Sequence, residues 1–270
     1  VPELPEVETT LRGIEPYILN RTISSIVVRQ SSLRWPVPTN LLKNKLLNKT
    51  FSGIKRRGKY LLLESSKEFL IIHLGMSGSL RIADKDHIKK HDHIDIVFEE
   101  ESILRYCDPR RFGCFLWTDN PENHFLLKNL GPEPLGNAFN GEYLFSLSRK
   151  RKTPVKNFIM NSKNVVGVGN IYANEALFRA KVRPTKQAGR VSLKSYEELS
   201  KEIVLILKES IDKGGTTLRD FVGSDNKPGY FKQQLEVYGR QGEECKICSS
   251  ILKNITIGQR SSVFCPECQK

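Results

Sequence analysis

Leu130-Gly-Pro-Glu-Pro134 separates two unlike halves of this 270-residue chain, and the contrast between them sets the fold class. Two prolines and a glycine in so short a stretch stop regular structure, since proline lacks a backbone donor and glycine is costly to order. Upstream, roughly residues 21–118 read as strands. Ile23-Ser-Ser-Ile-Val-Val28, Tyr60-Leu-Leu-Leu63, Phe69-Leu-Ile-Ile72, His93-Ile-Asp-Ile-Val-Phe98 and Ile103-Leu-Arg-Tyr106 are apolar or alternating. Gly53, Gly58, Gly75, Gly78 and Asp108-Pro109 punctuate them, a spacing that predicts a sandwich or barrel. Ahead of the strands, Val7, Leu11, Ile14 and Ile18 recur at helical spacing behind Pro5, predicting a helix over about 5–19, and a second is expected near 41–47. Downstream the period is helical. Leu193, Tyr196, Leu199, Ile203, Ile206 and Leu207 form one apolar stripe, opened by Ser192 and closed by Gly214-Gly215. A shorter helix is predicted from Asn170 to Ala180, after Val166-Gly-Val-Gly-Asn170.

Composition narrows the partners. Hydrophobic residues make up 39% of the chain, enough for real cores, and 43 Lys+Arg stand against 30 Asp+Glu, a net charge of +13. A cationic surplus of that size points to a polyanion, most often nucleic acid. No apolar run approaches the roughly 20 residues that span a bilayer, and no charged-then-apolar leader opens the text. The expectation is a cytoplasmic protein with no disulfides, in which Cys107 and Cys114 are reduced thiols.

The other four cysteines form Cys245-x2-Cys248 and Cys265-x2-Cys268, sixteen residues apart. Two such knuckles supply four thiolates tetrahedrally, which predicts one structural zinc ion in a ribbon with no open coordination position. A pair of disulfides is the alternative and would need an oxidising compartment. Between the knuckles, Thr256-Ile-Gly-Gln-Arg-Ser-Ser262 reads as a hairpin tip presenting Arg260, either to a phosphate or simply to solvent.

Pro2 stands beside Glu3 just ahead of the first predicted helix, where the helix dipole favours a carboxylate or a phosphate. An α-amino group has a reference pKa of about 7.7–8.0 against about 10.4 for lysine. If exposed as the terminus, Pro2 would be a secondary amine that is partly unprotonated near neutrality. Its attack on an aldehyde-level carbon gives an iminium, an electron sink that needs no proton. On the dipeptide alone, an ordinary proline-rich tail is the better reading.

Taken together, the motifs resemble bacterial formamidopyrimidine-DNA glycosylases. The likeness starts at Pro2-Glu-Leu-Pro-Glu-Val-Glu8 and runs through Arg57-Gly-Lys-Tyr60, His73-Leu-Gly-Met-Ser-Gly78, His91-Asp-His93 and Asp108-Pro-Arg-Arg-Phe-Gly113. It continues through Val165-Val-Gly-Val-Gly-Asn-Ile-Tyr172, Gly214-Gly-Thr-Thr217 and Val237-Tyr-Gly-Arg240 into the ribbon. The resemblance implies an α+β fold: an N-terminal β-sandwich flanked by helices over 1–130, a linker at 131–135, a helix–two-turns–helix region over 136–240, and a zinc ribbon over 241–270. DNA would lie in the cleft between the main domains. It implies a monomer that removes oxidised purines, chiefly 8-oxoguanine and formamidopyrimidines, and then cuts the strand.

Residue by residue, Pro2 matches the nucleophile and Glu3 the general acid. Lys59 matches a lysine assigned to the β-elimination step, and Arg260 an arginine assigned to the δ-elimination step. Each could act by proton transfer or by holding phosphate; for Arg260, since a guanidinium is a poor proton donor, positioning is the better fit. Met76, Arg110 and Phe112 match a trio that fills the gap left by an extruded nucleotide. Asn170 matches a phosphate contact at a helix start, His91, Arg110 and Lys150 match DNA contacts, and Lys156 resembles a lysine near the lesion pocket. The glycine-rich stretch 217–230 resembles a loop over the extruded base. Val1 departs from the family pattern, in which the proline follows a removed initiator; the expectation is that Val1 is that initiator. A related branch acting on oxidised pyrimidines, and a DNA-binding protein without catalysis, are the competing readings. Leu4 favours the purine branch, and Pro2 with Glu3 favours the enzyme.

Overall fold

The computed structural model describes residues 2–215 and 234–270. The chain forms two compact units, one of residues 2–128 with 213–215, the other of residues 129–212 with 234–270.

The first unit is a β-sandwich. β1 (Ile23–Val28), β5 (Ser79–Ala83), β6 (Asp92–Phe98) and β7 (Ile103–Cys107) pair antiparallel in the order β1-β6-β7-β5. β2 (Gly53–Arg57), β3 (Tyr60–Ser65), β4 (Glu68–His73) and β8 (Cys114–Thr118) pair antiparallel in the order β2-β3-β4-β8. Period-two alternation sends Leu61 and Leu63 of β3, and Leu70 and Ile72 of β4, into one core with Ile94, Ile96 and Phe98 of β6. Helices α1 (Leu4–Ile18) and α2 (Thr39–Leu46) add Val7, Leu11, Ile14, Ile18, Leu42 and Leu46 to that core. The ion pair from Arg56 Nε to Glu8 Oε2, 2.8 Å, ties α1 to β2. Burial pushes the Glu8 carboxyl upward, but the guanidinium groups of Arg56 and Arg12 outweigh it and hold the pKa below its ordinary value.

The second unit is helical: α3 (Gly141–Ser148), α4 (Val155–Met160), α5 (Asn170–Arg179) and α6 (Leu193–Asp212), followed by a hairpin of β9 (Lys253–Ile257) and β10 (Arg260–Phe264). Ser192 opens α6 as expected, its Oγ accepting the Ser195 N–H at 3.1 Å. The stretch at 130–132, read as a linker, is pinned to the turns between α4 and α5. Gly131 N–H donates to the Ser162 carbonyl at 2.8 Å and Val166 N–H to the Pro132 carbonyl at 3.2 Å. A Cβ on Gly131 would lie 2.7 Å from the Lys163 carbonyl oxygen, so only glycine lets the two backbones meet. The ribbon is not a body of its own either. Phe178 of α5 packs with Val237, Cys245, Leu252, Val263 and Cys265 in one small core.

Candidate functional site

In the first unit the candidate groups gather on three short segments. Pro2 and Glu3 are buried at the start of α1. Glu3 is the N-cap, and it forms a reciprocal capping box with Glu6, whose Oε2 accepts the Glu3 N–H at 2.9 Å. The carboxylate of Glu3 thus stands at the positive end of the helix dipole. Gly215 comes back over this helix start; a Cβ there would lie 3.2 Å from Glu6 Oε1.

Gly58 and Lys59 make the two-residue turn between β2 and β3, Gly58 with φ +58°. Next to it lies His73, a residue quoted in the motifs but given no role by sequence. Its ring meets Tyr60 at 4.7 Å and its Nδ1 accepts the Gly75 N–H at 2.9 Å. Burial, then the charges of Lys59 and Arg34, push the imidazole down to about 4. The ring is therefore neutral near pH 7, with its proton on Nε2, and presents a hydrogen-bond donor beside a lysine.

The third segment joins two loops. Asp108, fully buried, organises residues 108–113: its Oδ1 accepts the Arg110 N–H at 3.2 Å, and its Oδ2 accepts the Gly113 N–H at 2.9 Å and the Tyr106 hydroxyl at 3.0 Å. Backbone bonds tie the loop to β6 through Asp108 N–H to the His91 carbonyl, 3.1 Å, while His93 Nε2 donates to the Asp108 carbonyl at 2.8 Å. Arg111 sits at φ +56°, which turns the chain so that Arg110 and Phe112 are exposed, the guanidinium 4.8 Å over the ring. Gly75, at φ +64°, lets the loop carrying Met76 press against Phe112 and Gly113, where a Cβ would lie 2.6 Å from the Gly113 nitrogen. Met76, Arg110, Phe112 and His91 are thus brought to one place.

In the second unit, Gly258 and Gln259 turn the hairpin with φ of +56° and +62°, and exposed Arg260 opens β10. Asn170 is the first residue of α5, and its Nδ2 donates to the Ser261 carbonyl at 3.2 Å. Lys150 is exposed just after α3, at φ +63°. Lys156, which the resemblance places near the lesion pocket, lies under the hairpin. It is fully buried, and its Nζ donates to the Ser261 carbonyl at 2.7 Å and to Ser262 Oγ at 2.6 Å. An ammonium enclosed in this way is spent on the hairpin backbone. Glu175, which sequence reading passed over, accepts the N–H groups of Glu236, Val237 and Tyr238 at 2.8, 2.9 and 2.7 Å. Burial raises its pKa despite those three donors. The stretch 217–230 and Val1 lie outside the described residues.

The four ribbon sulfurs lie within 4.8 Å of one another, Cys248 to Cys265 at 3.4 Å and Cys245 to Cys268 at 3.9 Å. A tetrahedron with Zn–S of about 2.3 Å has edges of about 3.8 Å, so the donor set and its spacing fit one zinc ion. Bonded sulfurs would be about 2.05 Å apart, and none of the six cysteines is in a disulfide. Four thiolates leave the metal no open position, so it supplies folding energy and no chemistry.

Three sequence matches, in order, span nearly the whole chain: the formamidopyrimidine-DNA glycosylase N-terminal domain over residues 1–115, the H2TH domain of the same enzymes over 130–222, and a zinc finger found in FPG and IleRS over 242–270. The chain belongs to the formamidopyrimidine-DNA glycosylase family. The glycosylase of Stutzerimonas stutzeri is 54% identical over 271 residues, and that of Saccharophagus degradans 55% over 272, each covering 100% of both chains. Among solved structures, a Lactococcus lactis FPG mutant bound to Fapy-dG containing DNA superposes with a TM-score of 0.92 at 36% identity over 100% of both chains. A MutM complex with carbocyclic 8-oxo-G containing DNA gives 0.91 at 36% identity, again over 100% of both. For a glycosylase, the arrangement offers a buried proline–glutamate pair at one helix start and a cation beside a neutral imidazole. It adds an apolar–guanidinium cluster on rigid loops and a metal-braced arginine hairpin.

Proposed function

We propose that this glycosylase excises oxidised purines, 8-oxoguanine and formamidopyrimidines, from duplex DNA and then cuts the strand, with Pro2 as nucleophile. The Pro2 nitrogen attacks C1′ of the extruded nucleotide, and the base leaves with the C1′–N bond. Glu3 delivers a proton to the ring oxygen, the sugar opens, and an iminium joins Pro2 to C1′. That cation draws off electrons as C2′ loses a proton and the C3′–O bond breaks, then as C4′ loses a proton and the C5′–O bond breaks. Water frees the enzyme. Lys59 and Arg260 hold the two phosphates that leave, and their fixed charge stabilises the developing anions. Met76, Arg110 and Phe112 fill the space of the extruded nucleotide, with His91, Lys150 and Asn170 on the backbone. Lys156 keeps the Arg260 hairpin in shape. A DNA repair enzyme of this kind works on the bacterial chromosome in the cytoplasm.

The single observation that carries the reading is the buried Pro2–Glu3 pair at a capped helix start, in a chain of this family. Borohydride reduction during turnover of 8-oxoguanine duplex should give a covalent enzyme–DNA adduct through residue 2. Pro2→Gly and Glu3→Gln should each impair turnover, both with duplex affinity largely kept. Intact mass must show Pro2 as the first residue of the active protein. An active enzyme that retains residue 1 would rule out Pro2 as the nucleophile, and a protein that never traps would be only a zinc-braced DNA binder.

A further inference from the structure

We propose that Arg34 and Trp35, backed by Phe125, form a second cation–aromatic contact for the DNA strand, adjoining the Arg110–Phe112 loop. The inference rests on the reading of that loop as a DNA contact. The Arg34 guanidinium lies 4.8 Å over the Trp35 ring, the same pairing and spacing as Arg110 over Phe112. The two pairs are physically joined, because the Arg34 N–H donates to the Gly113 carbonyl at 3.3 Å, one residue beyond Phe112. A tight turn makes the projection: Ser32 bridges to Pro36, and Val37 N–H donates to the Ser31 carbonyl at 2.8 Å, with Leu33 buried beneath. Trp35 stacks edge-on to Phe125 at 5.8 Å, and Phe125 is itself 55% exposed.

Arg34 and Phe125 are exposed and Trp35 is half-buried, so a cation and an aromatic face stand together at the surface. Among the described residues no carboxylate pairs with Arg34 or with Arg110, so both guanidinium groups keep their full charge for a partner. A chain of net charge +13 that already uses one such pair against DNA has a polyanion with π-faced bases as the fitting occupant. The phosphate goes to Arg34 and the sugar or base face to Trp35. The grip on the duplex then extends past the gap left by the extruded nucleotide.

The chain has two tryptophans, Trp35 and Trp117, so Trp117→Phe leaves Trp35 as the sole indole fluorophore. Titrating that protein with a duplex carrying a tetrahydrofuran abasic analogue should quench Trp35 emission along the binding curve. Arg34→Ala in the full chain should raise Kd roughly tenfold and lower the slope of log K against log salt by about 0.9. Arg110→Ala is measured alongside. Unchanged Trp35 emission and unchanged Kd for Arg34→Ala, while Arg110→Ala weakens binding, would overturn this inference and leave the loop reading intact. If Arg110→Ala also binds normally, the loop reading fails and takes the inference with it.

Discussion

A methyl group placed on Gly113 would collide with the Tyr106 hydroxyl and the His73 carbonyl. Both belong to the framework that holds Asp108, so neither can yield without disturbing the loop that projects Arg110 and Phe112. Gly113→Ala should therefore cost about 2–3 kcal/mol in urea unfolding, the range for overpacking a tight site, and should weaken lesion-duplex binding as well. Unaltered stability would mean the loop is softer than its hydrogen bonds imply. His73 gives a pH-dependent counterpart. Its folded pKa of about 4 is below the ordinary 6.5, so the unfolded chain binds the extra proton between those values. Stability then rises with pH across that window, is fully present above 6.5, and is lost as pH falls toward 4. His73→Asn keeps an acceptor for the Gly75 N–H but cannot titrate. Its unfolding free energy should change less steeply from pH 4.5 to 6.5 than that of the parent, and an identical slope would show that His73 carries no such linkage.

At the scale of elements, the β9–β10 hairpin depends on side chains beneath it rather than on its own ladder. Lys156 and Asn170 both donate to the Ser261 carbonyl, and Asn174 Oδ1 accepts the Val263 N–H at 2.8 Å. Lys156→Met preserves volume and removes the charged donor. It should cost about 2 kcal/mol, speed amide exchange at residues 261–263, and shift strand cutting from the second elimination product toward the first, with zinc still bound one per chain. Unchanged exchange at those amides would sink the supporting role. The same residue marks a limit of sequence reading: resemblance alone suggested a place near the lesion pocket, and only the fold shows its ammonium enclosed. The strands legible in the text were the half- or fully buried β1, β3, β4, β6 and β7. Strands β2, β5 and β8 were not: Gly53-Ile-Lys-Arg-Arg57 and Ser79-Leu-Arg-Ile-Ala83 are mostly half-exposed and broken by charged residues, and Cys114-Phe-Leu-Trp-Thr118 is a short run without clear alternation. Helices α3 and α4 are too short for a period to declare itself. Glu175 and Asp108 were illegible for another reason. Their work is to accept backbone N–H groups, in the case of Glu175 from residues 61 to 63 positions away, and no local pattern encodes that. The cysteine knuckles were legible because their chemistry is fixed by residue type at short spacing, whereas Pro2-Glu3 drew attention only through the motifs around it.

Over the whole molecule, the net charge of +13 is not all available to a partner, because many cations are paired with carboxylates. Arg105 is buried against Asp95 at 2.8 Å, Arg81 donates to Asp92 at 2.7 Å, Arg56 to Glu8 at 2.8 Å, and Arg179 to Glu209 at 2.9 Å; these hold the two units together internally. The cations proposed for phosphate come from both units: Arg34 and Lys59 from the first, Lys150 and Arg260 from the second. Their number, rather than the total charge, should govern the salt dependence. Each neutralised phosphate releases condensed counterions, so four contacts predict a slope of about −3.6 for log K against log salt. Raising salt from 50 to 200 mM should then weaken lesion-duplex binding by about 150-fold. Arg34→Ala and Lys150→Ala should each flatten the slope by about 0.9 and together by about 1.8. Replacing the paired Arg179 should leave the slope where it was while lowering the stability of the fold. A slope that tracked total charge, shifting equally for Arg179 and Arg34, would mean the duplex reads a diffuse positive field rather than a defined set of phosphate contacts.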